Sequence, residues 1–362
     1  MNAFLGLLRH PRRLLGRLAR ARTVIATGLA LAGLLLAGAA PASTLTPAAN
    51  AQAPLTMRIN YQPALLAAPL MIAMDKGYFE QANINVEPYE IWTSPELIAA
   101  FASGNMDGAA GGMGPAQMNA ISRGILNPRL ISPLHTEKPP LATPLTVRKA
   151  LWDSGEVRSV ADLKGRKVAL NSKASATGYW LHAALATGGL TPNDVDVVEM
   201  PFPDAIVAMA NGVLDASLLN EPYAVQAEQT GAAVRLTDDF IDDFQVTAVY
   251  FDATFFENHR PAVEAFLAAY LRGARDLQGE GYHAPENLAI LERYTKIPAA
   301  TVAAARAPYH DPDGRLHVED FQKLNDFFVA QGAAPALDMS TLVDLSVAEA
   351  ARRILAEGTL GR

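Results

Sequence analysis

The chain has 362 residues, of which 50% are apolar, 19% are charged and none is cysteine. That length exceeds one ordinary core and points to about two domains. The lack of cysteine excludes a disulfide framework, a thiolate nucleophile, Cys-ligated zinc and lipidation behind a leader. The net charge is −7, and it is unevenly spread.

Arg9, Arg12, Arg13, Arg17, Arg20 and Arg22 precede any acid, and residues 24–40 are a continuous run of apolar and small residues. A basic head, an apolar middle and a small-residue exit make up a secretory leader, so residues 1–51 are expected to be a signal peptide. Cleavage after Ala42 and cleavage after Ala51 both satisfy the pattern, and the Arg12-Arg13 pair leaves Sec and twin-arginine export open. The apolar run also meets the lower limit for a membrane anchor, about 17 residues; the small-residue sites directly behind it favour the leader. Removing the six arginines leaves 24 basic against 37 acidic residues, a balance unsuited to nucleic acid or anionic lipid. A free, monomeric periplasmic protein is the expectation.

From residue 57 the pattern alternates. Residues 57–61 (MRINY) read as a strand, 65–74 as a helix and 84–89 (INVEPY) as a strand. Next comes PELIAAFASGNMDGAAGGMG (95–114), a helix, a glycine, a turn to Asp107 and a strand nearly free of side chains. The second half repeats the order: strand 167–170, helix 178–186, strand 195–200, then PDAIVAMANGVLDASLLNEP (203–222). Pro95, Ile98, Ala100, Ala102, Gly104 and Asp107 fall on Pro203, Ile206, Ala208, Ala210, Gly212 and Asp215. Strands alternating with helices predict crossover units and parallel sheets, hence an α/β fold of two similar lobes. Residues 130–147, with four prolines, read as a connection whose end (141–147) crosses between lobes, and 244–251 as a second crossing beside it. Lobe one is then 52–142 plus 250–362, closed by helices that start with Pro261–Leu277; lobe two is 143–249.

Ligands of open parallel sheets bind beyond the C-terminal strand ends, beside helix N-termini. The loops there are Gln62–Ala64, Trp92–Pro95, Gly111–Gly114, Asn171–Thr177, Pro201–Asp204 and Asn220–Tyr223. Ser94, Ser175 and Thr177 add hydroxyls to the free amides of helix starts, which suits an anion; plain helix capping is the competing explanation. The glycines around Gly112 and Met113 allow a close approach to a ligand or to another segment. Glu221 could take a ligand's donor or clamp the lobes. Gln62 and His135 complete the expected lining. The histidines show no metal spacing, Asp311–Gly314 reads as a turn and not a calcium loop, and no nucleophile–base set is evident. Neither a cofactor nor a catalytic residue is expected.

At these residues the chain resembles the nitrate/taurine/alkanesulfonate-type substrate-binding proteins of ABC importers, which share a domain with thiamine-pyrimidine synthases. The matching pieces are Asp75–Glu80 (DKGYFE), Pro95–Gly112, Ala161–Ala169 (ADLKGRKVA) and Asn220–Tyr223 (NEPY), within about residues 55–275 and in the family's order. The resemblance implies two lobes around a hinged cleft, and capture of a ligand by closure. It further implies delivery to a permease driven by an ATPase, without chemistry on the ligand. A small organic anion (sulfonate, nitrate or carboxylate) is the expected ligand, although Lys173 is the one cation in the loops. A nitrogenous heterocycle such as a thiamine pyrimidine precursor is the alternative, as is an enzyme of related fold.

Overall fold

The computed structural model describes residues 53–360; the leader expected over 1–51 lies outside them. In chain order, β1 (Leu55–Asn60), β2 (Ile84–Tyr89), β3 (Gly108–Gly112) and β4 (Pro128–Pro133) come first. Next are β5 (Leu145–Arg148), β6 (Lys167–Leu170), β7 (Asp196–Glu199), β8 (Ala216–Leu218) and β9 (Ala233–Thr237), and β10 (Thr247–Asp252) comes last. They form two five-stranded sheets of matching order, β2-β1-β3-β10-β4 and β7-β6-β8-β5-β9.

The expectation of parallel sheets holds for four strands per lobe, which share one direction, and fails for the fifth, β10 in one sheet and β5 in the other. β1, β2 and β3 run parallel, as do β6, β7 and β8, but β10 is antiparallel to β3 and β4, and β5 to β8 and β9. The reason is direction of entry. The crossing chain arrives from the other lobe, at the C-terminal ends of the parallel strands, and must run back against them. β4 had read as linker because of its prolines. Pro128 and Pro133 sit at its two ends and β4 is an edge strand, where a missing N–H costs the ladder least. The two crossings lie side by side as expected: Glu137 bridges Phe244, and the Leu141 amide donates to the Asp238 carbonyl at 2.8 Å.

The repeat has a structural cause. Each of its helices ends at a glycine in the left-handed region, Gly104 at φ 68° and Gly212 at φ 74°, as such caps require. Three residues on, Asp107 accepts from the Arg58 amide at 2.8 Å, and Asp215 from the Lys167 amide at 3.1 Å. In return the Asp107 amide donates to Arg58 and the Asp215 amide to Lys167. One carboxylate per lobe thus fixes the central strand against its neighbour.

The helix expected from Pro261 starts earlier, at Ala253, because Asp252 caps it by accepting from the Thr254 and Phe255 amides. It runs to Asp276 through a break at His259, two residues before Pro261, where φ is −130°. Its buried face, with Phe266, Leu267, Tyr270 and Leu271, covers sheet one and the helix Ala68–Asp75. The helices Pro285–Thr295, Ala299–Ala304, Val318–Ala330 and Leu345–Glu357 follow. They touch both lobes: Thr301 donates to Gln229 at 2.6 Å, and Asn119 donates to the Ala333 carbonyl at 2.8 Å. Among the described residues no helix is long and apolar enough to cross a membrane.

Candidate functional site

Strand ends from both lobes converge on a cavity of about 70 Å³. Lobe one contributes Asn60 from the end of β1, the segment Ile91–Ser94 after β2, and Ala110–Gly112 of β3. Lobe two contributes Asn171 and Ser175–Thr177 after β6, and Asn220 after β8. Leu134 and Thr247 come from the two crossings. Ser94, Gln117 and Thr177 stand in the first turns of the helices Ser94–Ala102, Pro115–Ser122 and Thr177–Ala186. Three helix starts therefore turn their positive ends inward.

The lining carries no charged side chain and mixes apolar groups such as Leu66, Ile91 and Leu97 with uncharged polar ones. Asn60 accepts from the Ile91 amide at 2.8 Å and so holds the loop after β2 in place. Gln117 spans from the Gly114 amide to the Ser94 hydroxyl. Across the cavity Thr177 donates to Asn171 Oδ1 at 2.7 Å, and Ser175 donates to the Ser172 carbonyl at 2.8 Å. Two polar atoms of lining residues are both shut off from solvent and without a partner among the described residues. Trp180 Nε1 and Asn220 Oδ1 are buried and make no hydrogen bond. A buried polar group normally has a partner, so these two are the distinctive feature of the site.

Of the residues expected to line the cleft, Gln62, Ser94, Gly112, Ser175 and Thr177 do. Three do not. Met113 is fully buried and its amide donates to the Val246 carbonyl at 3.3 Å. His135 lies one layer back, between Thr247 Oγ1 at 2.8 Å and Glu137 Oε1 at 2.7 Å. Glu221 is 0% exposed and turned away, 2.5 Å from Arg235 and within reach of the Val225 amide. Burial pushes its carboxyl pKa up while Arg235 opposes the shift. Lys173 also faces elsewhere, into an outer hollow of about 530 Å³ between the helices Thr177–Ala186 and Val318–Ala330. That hollow is larger, yet none of its lining side chains has an orphaned buried polar atom.

The sequence reading missed Asn60, Trp92, Gln117, Asn171, Trp180, Asn220 and Thr247. Trp92, Asn171 and Asn220 lie inside the loops it named. Trp180 was within reach too, because it stands one helical turn after Thr177 and so shares its face.

The lobes meet around the cavity. The Leu65 amide donates to the Glu221 carbonyl at 2.7 Å, the Ala116 amide to the Ala174 carbonyl at 3.1 Å, and Tyr223 to the Pro63 carbonyl at 3.2 Å. Trp92 of lobe one meets Phe202 of lobe two edge-on, 5.8 Å between ring centres. The glycine run serves this contact: a Cβ on Gly114 would lie 2.4 Å from Ser175 Cα.

The comparisons agree with this architecture. The alkanesulfonate-binding protein SsuA from Xanthomonas axonopodis pv. citri, solved with MOPS bound, superposes with a TM-score of 0.67 at 21% identity, over 81% of this chain and 99% of that one. The periplasmic nitrate-binding protein NrtA from Synechocystis PCC 6803 superposes with a TM-score of 0.70 at 17% identity, over 85% and 91%. In sequence, a protein of Escherichia coli (strain K12) named for binding aliphatic sulfonates is 27% identical over 281 residues, 76% of this chain and 81% of its own length. The model of the NMT1-like family matches residues 50–290, and the chain belongs to that family.

Proposed function

We propose that this chain is the substrate-binding component of an ABC importer. It captures a small organic anion in the interlobe cavity and presents it to a permease worked by an ATPase. The observation that carries this reading is the cavity itself. Its walls come from both lobes, it lies at strand ends and helix starts, and it exposes donors without a cationic side chain. Amides at a helix start hold an anion by direct hydrogen bonds and by the dipole, a contribution of about 0.3–1 kcal/mol per helix from the dipole. A ligand that touches both walls favours the closed state over the open one, and this difference drives closure.

Residues 52–142 with 250–362 act as one lobe and 143–249 as the other, with the paired crossings as hinge. Gln62, Ser94, Gly112, Ser175 and Thr177 contact the ligand, joined by Asn60, Asn220 and Trp180. Export through the leader places the protein, a monomer, in the periplasm. The reading assigns no reaction to the cavity: the Ser175 and Thr177 hydroxyls donate to a carbonyl and a carboxamide, not to a base.

The test is titration of the purified protein with nitrate, small carboxylates and small sulfonates, read by Trp92 and Trp180 emission and by small-angle scattering. At least one anion should change the emission and shrink the radius of gyration. If every anion leaves both signals unchanged, the reading fails.

A further inference from the structure

We infer that three asparagine carboxamides, Asn60 from lobe one and Asn171 and Asn220 from lobe two, select the ligand by turning their N–H donors into the cavity; this rests on the binding-protein reading above. All three line the cavity, and they are only 3%, 8% and 4% exposed. In each, the amide nitrogen Nδ2 makes no hydrogen bond among the described residues, yet it is not shut off from solvent as Asn220 Oδ1 is. For side chains this buried, the open side is the cavity that they line.

The oxygens explain the orientation. Asn60 Oδ1 accepts from the Ile91 amide at 2.8 Å, and Asn171 Oδ1 from the Thr177 hydroxyl at 2.7 Å. Each carboxamide is thereby held by its oxygen, and both N–H bonds stay on the other arm of the amide plane. Asn220 has the same polarity of exposure, oxygen closed and nitrogen open. The lining glutamines differ, because their nitrogens are engaged within the protein: Gln117 donates to Ser94 and Gln62 to the Trp92 carbonyl, both at 3.4 Å. Three carboxamides offer an anion up to about six N–H bonds with no cation to desolvate. The set is divided between the lobes, so it is complete when they are together, and a ligand bound through it favours that state. The ligand class selected is a compact anion with acceptor oxygens on more than one side. A cationic head would set its own N–H groups against these donors.

The variants follow from the hydrogen bonds. Asn60→Asp and Asn171→Asp keep the shape and the oxygen's internal bond but replace the donor with an acceptor. The Asn220 side chain makes no bond within the protein, so Asn220→Leu removes the donor alone and adds no charge. The probes are nitrate, acetate and methanesulfonate, titrated calorimetrically into the purified full chain. For the anions that bind, Asn220→Leu should weaken affinity about tenfold or more, as for a lost bond to a charged group. The two aspartate variants should weaken it about a hundredfold or more, since like charges then face each other. Nitrogen-15 spectra of the unmodified protein supply a readout independent of charge and stability. The side-chain amide signals of the three asparagines, assigned by their loss in the variants, should move on saturation. Signals that keep their positions, or an Asn220→Leu affinity within about twofold of the parent, overturn the inference and leave the binding-protein reading standing. If none of the three anions binds the unmodified chain, both fall.

Discussion

Asp107 and Asp215, 108 residues apart, tie equivalent strands in the two lobes. Asp107→Ala takes the partner from the part-buried Arg58 amide and from its guanidinium, bonded at 2.6 and 3.0 Å. A stability loss of about 2 kcal/mol is expected. Neither residue lines the cavity, so calorimetry on the variant should give an unchanged ligand affinity. His310 has a different effect. It donates from Nδ1 to the Leu134 carbonyl, and burial lowers its pKa to about 4. The folded value lies below the unfolded one of about 6.5. Its stabilisation is therefore complete above pH 6.5 and is lost as the pH falls toward 4, by about 3 kcal/mol in all. Urea midpoints at pH 7 and pH 4.5 should differ less in His310→Gln than in the unmodified protein; an identical difference would remove His310 as the cause. At this scale the sequence was a partial guide. Ser94, Ser175 and Thr177 were legible because helix starts announce themselves by hydroxyls and proline. Asn220 and Glu221 were not separable: adjacent residues past a strand end point to opposite sides, and the partner that draws Glu221 away, Arg235, stands fourteen positions on.

Among the elements, the contact between Gly114 and the start of the helix Thr177–Ala186 bears most directly on closure. Gly114 has φ −118°, so alanine meets no backbone strain there, and its cost comes from the other lobe alone. Gly114→Ala should leave the thermal midpoint of the ligand-free protein within about 2 °C, a surface-like change, and weaken ligand binding about tenfold or more. Scattering should find the saturated variant larger than the saturated parent. A variant that binds and compacts normally would mean that the lobes need not meet here. The elements themselves were mostly legible, with strands 84–89 and 167–170 correct to the residue. The misses have one origin. β4, read as linker, and β9, not read at all, are edge strands; β4 pairs with β10 and β9 with β5, so both are defined by partners distant in sequence and not by their own pattern.

For the whole molecule, the likeness of the two halves conveyed the two lobes and the cleft, and the side-by-side crossings followed from both. The charge of the loops misled: the acid and the cation singled out, Glu221 and Lys173, both face away from the cavity, which is neutral. Anion binding by dipoles acts within the first helical turn, and for an ion enclosed between two lobes salt screens it little. Ligand affinity should consequently vary little with salt between 50 and 500 mM, whereas a site built on lysine or arginine would weaken steeply.

The position of β10 has a further consequence. It lies between β3 and β4, and the chain reaches it after completing β9. A fragment ending near residue 245 would present β4 with no neighbour in its own sheet, two open edges and an incomplete core. During synthesis the first-made portion must wait for β10, and its sheet stays unfinished until the chain has grown past Asp252.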